Sequence, residues 1–311
     1  MRSNQISHDD QPFVLSVCVP TYNREAELAN FFVSCDPKWS KLLEIVIVDD
    51  GSTDGTSDLC NRMSERLSVN YTFQENRGRA AALANAIQNA NGRYLCVMDS
   101  DDWFSETGLQ TIFSQIFSFD QLSDDIIGFI FLCETEKGKV IGSQFTDISS
   151  VNLLALRADK NCLGDKKEVI RSDVLKACLS DVFFENARVP TSLLWFRSAK
   201  FGKVLPCNSI VAVKTYLPGG MTDTNISLKV RSSGGTCAYY KEVVLLYGER
   251  YVSLRFLFRN SVNLVRFILH DGWRRHIYRW PRDLKPVVLL VVGICIPLGL
   301  ILFIQDKALS K

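Results

Sequence analysis

Three apolar, β-branched runs each stop on a polar loop: Phe13 to Val19 (FVLSVCV) at PTYNR, Leu43 to Val48 (LEIVIV) at DDGSTDGT, and Tyr94 to Met98 at DSDD. Unbroken apolar runs of this length, bounded by turn-forming residues, predict strands buried on both faces. Between the first two, Glu25 to Cys35 predicts a helix, and Ser57 to Leu67 predicts another with Thr56 as its N-cap. Val69 to Phe73 predicts a further strand, and the Ala-rich run of ENRGRAAALANAIQNANG predicts a helix to Ala90 that Gly92 would stop. Strands and helices alternating at this interval give an α/β fold with a mainly parallel central sheet. Such sheets bind ligands beyond the carboxyl ends of their strands, where all three polar loops fall.

The pattern blurs from Phe113 to Tyr247, where apolar runs such as IIGFIFLC alternate with polar loops, and this stretch is taken as the second half of the same domain. Its Gly219–Gly220 pair fits a surface turn, with a mobile lid as the alternative. The chain then changes character. Pro286 to Ile304 is nineteen residues without a charge, about 28 Å as a helix at ~1.5 Å per residue, which predicts a transmembrane helix. Ahead of it, Arg255, Arg259, Arg266, His270 and Arg274 fall on one stripe of a helical wheel, with Leu254, Leu257, Phe258, Val265, Ile268 and Leu269 opposite. That predicts an amphipathic helix at the membrane interface, with Trp273, Tyr278 and Trp280 at headgroup level.

Charge sharpens this picture. The chain has a net charge of +2, yet Arg250 to Lys285 holds nine Lys and Arg against two acidic residues, about +7, leaving about −5 for the rest. A basic belt beside an apolar span suits anionic lipid, and the abutting span argues against nucleic acid as the partner. Arg274, Arg275, Arg279, Arg282 and Lys285 precede the span, and Lys307 and Lys311 follow it, so the positive-inside rule places the body in the cytoplasm, on an inner or other cytoplasm-facing membrane. Ten cysteines without a CxxC pair, several in apolar runs, fit buried thiols in a reducing compartment, and the first fifteen residues carry no secretory signal.

Asp99, Asp101 and Asp102 at the mouth of an apolar core repel one another and are costly to desolvate, so a positive partner is expected. Mg²⁺ or Mn²⁺, held by oxygen ligands and shared with substrate phosphates, would serve. A solvated turn with Asp102 capping the next helix is the alternative.

Taken together and in register, VCVPTYNR, IVIVDDGSTDGT, ENRGRAAALANAI and GRYLCVMDSDDWF, across Val17 to Phe104, resemble the N-terminal half of family-2 glycosyltransferases of the GT-A fold, Rossmann-like, of the bacterial membrane-anchored type. The resemblance is strong over about the first hundred residues and weaker from Val169 to Leu246. It implies that Thr21 and Tyr22 line the site for the donor base, that Asp50 accepts from base or ribose with Asp49 as support, and that Gly51 and Gly55 let the loop turn. It further implies that Arg79, opening a helix, faces a diphosphate, and that Asp99 and Asp101 form the DxD motif that meets ribose and cation.

The implied reaction is inverting transfer of one sugar from a nucleotide diphosphate sugar, a UDP-sugar for preference, to a lipid-linked or membrane-proximal glycan in polysaccharide biosynthesis. Charging of the polyprenyl phosphate itself and a non-catalytic scaffold are the rival readings. The only histidines are His8, His270 and His276, none in the sheet-edge loops, so the general base must be a carboxylate. Related enzymes carry FVPE before an apolar stretch and Trp. Here FFENARVPTSLLW has Thr191 at that glutamate's place, which leaves Glu185 as first choice and Asp181 as second. HIYRW, His276 to Trp280, lacks the glutamine of the processive synthases' QxxRW and is taken as an anchor. The expected organisation is residues 1–247 as the GT-A domain (13–112 for the donor, 113–247 for the acceptor), 248–285 as the interfacial segment and 286–304 as the transmembrane helix; a homo-oligomer is compatible with it.

Overall fold

The structure is a computed structural model and describes residues 12–119, 125–147, 149–158, 162, 164–185, 189–215, 226–246, 253–272 and 286–309. Gly219, Gly220, Trp273, the HIYRW segment and the basic flank from Arg274 to Lys285 lie outside the described residues. The chain divides into two compact units. One comprises Met1–Val151, Cys162–Leu179 and Lys200–Thr215, the other Asn152–Asn161, Ser180–Ala199 and Tyr216–Lys311. The boundary expected at residue 247 falls inside the second unit.

The first unit is built on an eight-stranded sheet of order β3-β2-β1-β4-β7-β6-β8-β5. Strands β1 (Phe13–Thr21), β2 (Leu43–Asp49), β3 (Ser68–Phe73) and β4 (Gly92–Val97) run parallel, as their apolar patterns predict. Helices α1 (Glu25–Val33), α2 (Thr56–Met63) and α3 (Arg79–Asn89) separate them. Seven residues of α3, five of them alanines, are buried, and small side chains let this helix pack closely on β1 and β2. The sheet then turns mixed: β7 (Lys166–Arg171) is antiparallel to both β4 and β6 (Ile126–Thr135), β6 is parallel to β8 (Lys203–Lys214), and the two-residue β5 (Trp103–Phe104) pairs antiparallel with the end of β8. Leu15, Val17, Ile45 and Ile47 from the strands, Leu28 and Phe31 from α1, and Phe113 from α4 (Gly108–Ser118) share one core.

Two local expectations are corrected. Gly92 does not stop α3; it opens β4, donates its N–H to Ser16 Oγ at 2.7 Å, and lies so close to β1 that a Cβ would sit 2.5 Å from Ser16 N. The fold needs glycine there for close approach of two backbones. Thr56 is the first helical residue of α2, and Asp54 does the capping, its Oδ1 accepting the Thr56 N–H at 3.1 Å and hydroxyl at 2.6 Å.

The second unit is helical: α5 (Leu153–Ala158), α7 (Asp181–Glu185), α8 (Ser192–Ser198), α9 (Ile226–Arg231), α10 (Ser233–Leu245), α11 (Leu254–Asp271) and α12 (Pro286–Leu309), with α6 (Ser172–Ala177) belonging to the sheet unit. Helix α11 packs against α10 on one side and α12 on another. The polar stripe expected along it divides. Arg255 and Arg259 are exposed, whereas Arg266 and His270 turn inward to Asp306 of α12. Leu257, Leu264, Val265 and Ile268 are buried within the protein, while Leu254 and Phe258 are exposed. A wheel assigns faces but cannot say that a buried acid on another helix will draw two of the basic residues inward.

Candidate active site

The carboxyl ends of β1, β2 and β4 meet at one edge of the sheet, and the loops leaving them are laced together. Asn23, the one non-glycine at positive φ (+50°) among the described residues, accepts the Thr53 N–H through Oδ1 at 2.8 Å, and its own N–H donates to Ser52 Oγ at 2.8 Å. Asp54 Oδ2 accepts the Glu25 N–H at 3.1 Å, which ties the second loop to α1. Gly51 sits at φ +90°, where L side chains are strained, but Gly55 has φ −74° and needs no such freedom, so of the two expected turn glycines only Gly51 meets a conformational demand.

Asp49 and Asp50 are both buried and divide the work. Asp49 accepts the Ser52 N–H at 2.8 Å and the Tyr71 hydroxyl at 2.9 Å, fixing its own turn to β3. Asp50 reaches the segment before α3: Oδ1 accepts from Gln74 Nε2 at 2.7 Å and the Arg77 N–H at 2.8 Å, and Oδ2 from the Gly78 N–H at 2.8 Å. Among the described residues these three donors occupy three of its roughly four lone-pair sites. Gly78 has φ +92° and is the residue before α3, so Asp50 sets the direction in which that helix starts. Arg79 is the first residue of α3 and donates through Nε to Asp99 Oδ1 at 3.1 Å, with a second, shorter contact from its terminal nitrogen.

Thr21 ends β1 and its hydroxyl is buried with no hydrogen-bond partner among the described residues, whereas the next residue, Tyr22, is half exposed. A buried hydroxyl without a partner is costly in a folded protein and so points to a group that belongs beside it.

The positive partner expected for the DSDD carboxylates is supplied in large part by the protein. Lys214 ends β8, and the antiparallel pairing of Trp103 with Val213 sets it opposite Asp102. Its Nζ lies 2.7 Å from Asp102 Oδ2, 3.5 Å from Asp99 Oδ2 and 3.8 Å from Asp165 Oδ2. Lys167, in the middle of the sheet on β7, donates to the Val97 carbonyl at 3.1 Å and lies 3.7 Å from Asp102 Oδ2. Burial by itself would depress both ammonium pKa values, but the adjoining carboxylates outweigh it and hold them above the ordinary lysine range. Asp99 is only partly buried; desolvation would raise its pKa, but Arg79, Lys214 and Lys167 outweigh that and hold its carboxyl well below the usual range.

Asp101 is different. Among the described residues it has no ion-pair partner; partial burial, and then the neighbouring Asp99 charge, push its pKa up. Asp102, for which a helix cap was the alternative, is instead a buried acid between two lysines, because the β5–β8 pairing turns it inward. No set of three or more His, Cys, Asp or Glu side chains placed to hold a metal occurs among the described residues.

Asp181 and Glu185 begin and end α7 in the second unit, both exposed, and Thr191 precedes α8. The residues gathered at the sheet edge are therefore Thr21, Tyr22, Asp50, Arg79, Asp99 and Asp101, together with Lys167, Lys214 and Asp165, which sequence reasoning missed. The signal for the lysines was faint. KKEVIR and IVAVK put lysine inside or at the end of apolar strands, where only a buried acid makes it tolerable.

Comparison with known proteins places this geometry. Over 117 residues the chain is 35% identical to the glycosyltransferase GlyG of Streptococcus pneumoniae, and over 106 residues 36% identical to GlyA of the same organism, which covers 37% and 34% of this chain and 38% and 15% of theirs. Against the dolichyl-phosphate beta-glucosyltransferase of Saccharomyces cerevisiae it is 27% identical over 166 residues, 50% of this chain and 48% of that one. The chain thus spans less than half the length of these curated relatives. Among solved structures, TarS 1–349 of S. aureus in complex with UDP-GlcNAc superposes with TM-score 0.57 at 17% identity, covering 92% of this chain and 82% of that one. The mannosyltransferase PcManGT of Pyrobaculum calidifontis, in complex with GDP-Man and Mn²⁺, gives 0.54 at 15% identity, covering 96% and 89%. The fold is that of the GT-A glycosyltransferases. With residues 16–172 matched by the family model, half of the chain and the whole of the sheet edge but Lys214, the protein belongs to glycosyl transferase family 2.

Proposed function

We propose that the chain transfers one sugar, with inversion, from a nucleotide diphosphate sugar, a UDP-sugar in the first instance, to a membrane-proximal glycan carried on polyprenyl diphosphate. The observation that carries the reading is the meeting of Arg79, at the start of α3, with Asp99 at the mouth of β4, two residues before Asp101. Leaving diphosphate is stabilised by fixed cationic donors, and an arginine at a helix N-terminus is such a donor. Thr21 would give its buried hydroxyl to the base, Tyr22 would offer its exposed ring face, and the remaining lone-pair site of Asp50 would accept from the ribose.

Asp101 fits a hard cation: it is a carboxylate without an ion-pair partner among the described residues, beside an Asp99 already shared by Arg79 and Lys214. Mg²⁺ or Mn²⁺ is commonly held by one or two carboxylates and completes its shell with phosphates and water, so a three-residue cage is not needed. Asp101 and Asp99 would hold the ion, which supplies charge neutralisation to the departing diphosphate. Glu185, or Asp181 in its place, would take the proton of the acceptor hydroxyl. A homo-oligomer is compatible with this reading.

A second reading, transfer directly to polyprenyl phosphate, draws on the likeness to the yeast dolichyl-phosphate enzyme. The test is a thermal-stability panel of nucleotide diphosphates and their sugars with Mn²⁺, Mg²⁺ or EDTA, followed by mass spectrometry of products formed on polyprenyl phosphate and on a polyprenyl-diphosphate-linked saccharide. Ligand at about a hundred times its Kd adds roughly 2.7 kcal/mol. A metal-dependent shift and a product on the diphosphate-linked acceptor are expected. Product on the monophosphate alone would select the second reading, and no shift with any nucleotide would leave a non-catalytic scaffold.

A further inference from the structure

Helices α11 and α12 run side by side in the same direction. The Phe258 carbonyl faces Cys295 Sγ at 3.7 Å, a Cβ on Gly299 would meet Val265, and Arg266 and His270 both bind Asp306, Arg266 through Nε at 2.6 Å and His270 through Nε2 at 2.9 Å. Both sequence numbers rise together over about 18 Å of helix at ~1.5 Å per residue. On α12 the buried positions are 288, 295, 299 and 306, a narrow stripe against α11, while Leu290, Ile294, Ile301 and Ile304 are among many exposed apolar residues.

This parallel pairing conflicts with a membrane crossing by α12. If α12 crossed the bilayer with α11 alongside, α11 would cross as well, in the same direction. Residues 273 to 285 would then have to return through the hydrocarbon carrying Arg274, Arg275, Arg279, Arg282 and Lys285. That many cations are not tolerated there. We infer that α11 and α12 lie in the plane of the membrane as a pair, α12 sunk in one leaflet and Arg255 and Arg259 at headgroup level, so that neither helix crosses. The pair is amphipathic between its helices: Arg255 and Arg259 are exposed on α11, and α12 is apolar around nearly its whole surface. An anionic leaflet matches both, the apolar surface by its tails and the exposed Arg255 and Arg259 by its headgroups.

The inference rests on the membrane attachment in the proposed function, and one experiment separates the two. The full chain carries a protease-cleavable tag at each end, and sealed inside-out vesicles from expressing cells are treated with protease before and after detergent. In-plane attachment predicts that both tags are cut to the same extent without detergent. A C-terminal tag protected until detergent is added, with the N-terminal tag cut, would overturn the in-plane arrangement and leave attachment standing. Protein absent from the vesicle pellet, or present in the supernatant as a dimer that covers α12, would overturn both. Ile294→Asp with Ile301→Asp, on the exposed side, should lower vesicle binding roughly tenfold or more without changing nucleotide-induced thermal shifts.

Discussion

Asp101 and Lys214 belong to one electrostatic group at the sheet edge and answer differently to substitution. Lys214 holds Asp102, which is almost fully buried, so Lys214→Met leaves an acid with only Lys167 beside it. Breaking a buried pair costs about 3–5 kcal/mol, and urea unfolding should show a lowered midpoint with an unchanged slope. Asp101 has a raised pKa, so the folded state binds its proton more tightly than the unfolded state does. Its contribution to stability is present below the unfolded pKa and fades as pH rises through the folded one; at neutral pH the ionised group destabilises. Asp101→Asn should therefore raise the ligand-free Tm at pH 7 while abolishing metal-dependent nucleotide shifts and cutting turnover roughly a hundredfold or more. A lowered Tm with nucleotide binding intact would contradict the assignment. Asp99 has the opposite sign. Its carboxyl is held low, so its contribution is complete above the ordinary carboxylate pKa and is lost as pH falls below it, and acid should weaken the Arg79 contact last.

The elements that position these residues differ in how plainly the sequence announces them. β1, β2 and β4 are apolar runs ending in polar loops, and α3 is a run of alanines, so the parallel quartet and the loop edge were legible from pattern alone. β7 was not, because KKEVIR opens on three consecutive charged residues and closes on a fourth, as an exposed segment would, yet Lys166, Lys167 and Glu168 are all buried. Their partners come from elsewhere: the Ile141 carbonyl takes Lys166 Nζ at 3.0 Å, and Val97 and Asp102 take Lys167. Asp50 and Arg79 were likewise legible as sheet-edge residues, but the hydrogen bonds by which Asp50 sets the start of α3 depend on a 27-residue excursion that no local pattern encodes. Gly92 shows the same limit. Read locally it stops a helix; in the sheet it is where β4 crowds β1. Gly92→Ala should destabilise by about 1–3 kcal/mol through overpacking against backbone, measured by urea unfolding, whereas alanine at a true helix stop would cost less and act through φ.

At the scale of the whole molecule, the two units have separate apolar cores. The first is centred on the sheet; the second comprises Cys237, Val244, Leu257, Leu264 and Phe267 on α10 and α11 with Val288 on α12, and a small cluster around Phe196, Tyr239 and Phe256. The residues proposed to bind the donor, Thr21, Tyr22, Asp50, Arg79 and Asp99, all belong to the first unit with Lys214, and the proposed membrane attachment belongs to the second. Removing Pro286 to Lys311 therefore leaves the sheet core untouched, although it strips Asp306 from Arg266 and His270 and uncovers the side of Val265 that faces Gly299. The cost falls on the helical unit: two basic groups lose a buried carboxylate, and an apolar stripe of α11 meets water. The truncated chain should no longer sediment with anionic vesicles, should need detergent or a raised salt concentration to stay dispersed, and should keep the metal-dependent thermal shift with the nucleotide that stabilises the full chain. Transfer to a soluble acceptor should fall far less than transfer to a membrane-borne one, because diffusion to the membrane, rather than chemistry at Arg79 and Asp101, is what the truncation removes. If nucleotide binding is lost along with membrane binding, the donor site depends on the helical unit, and the separation of the two functions into two units fails.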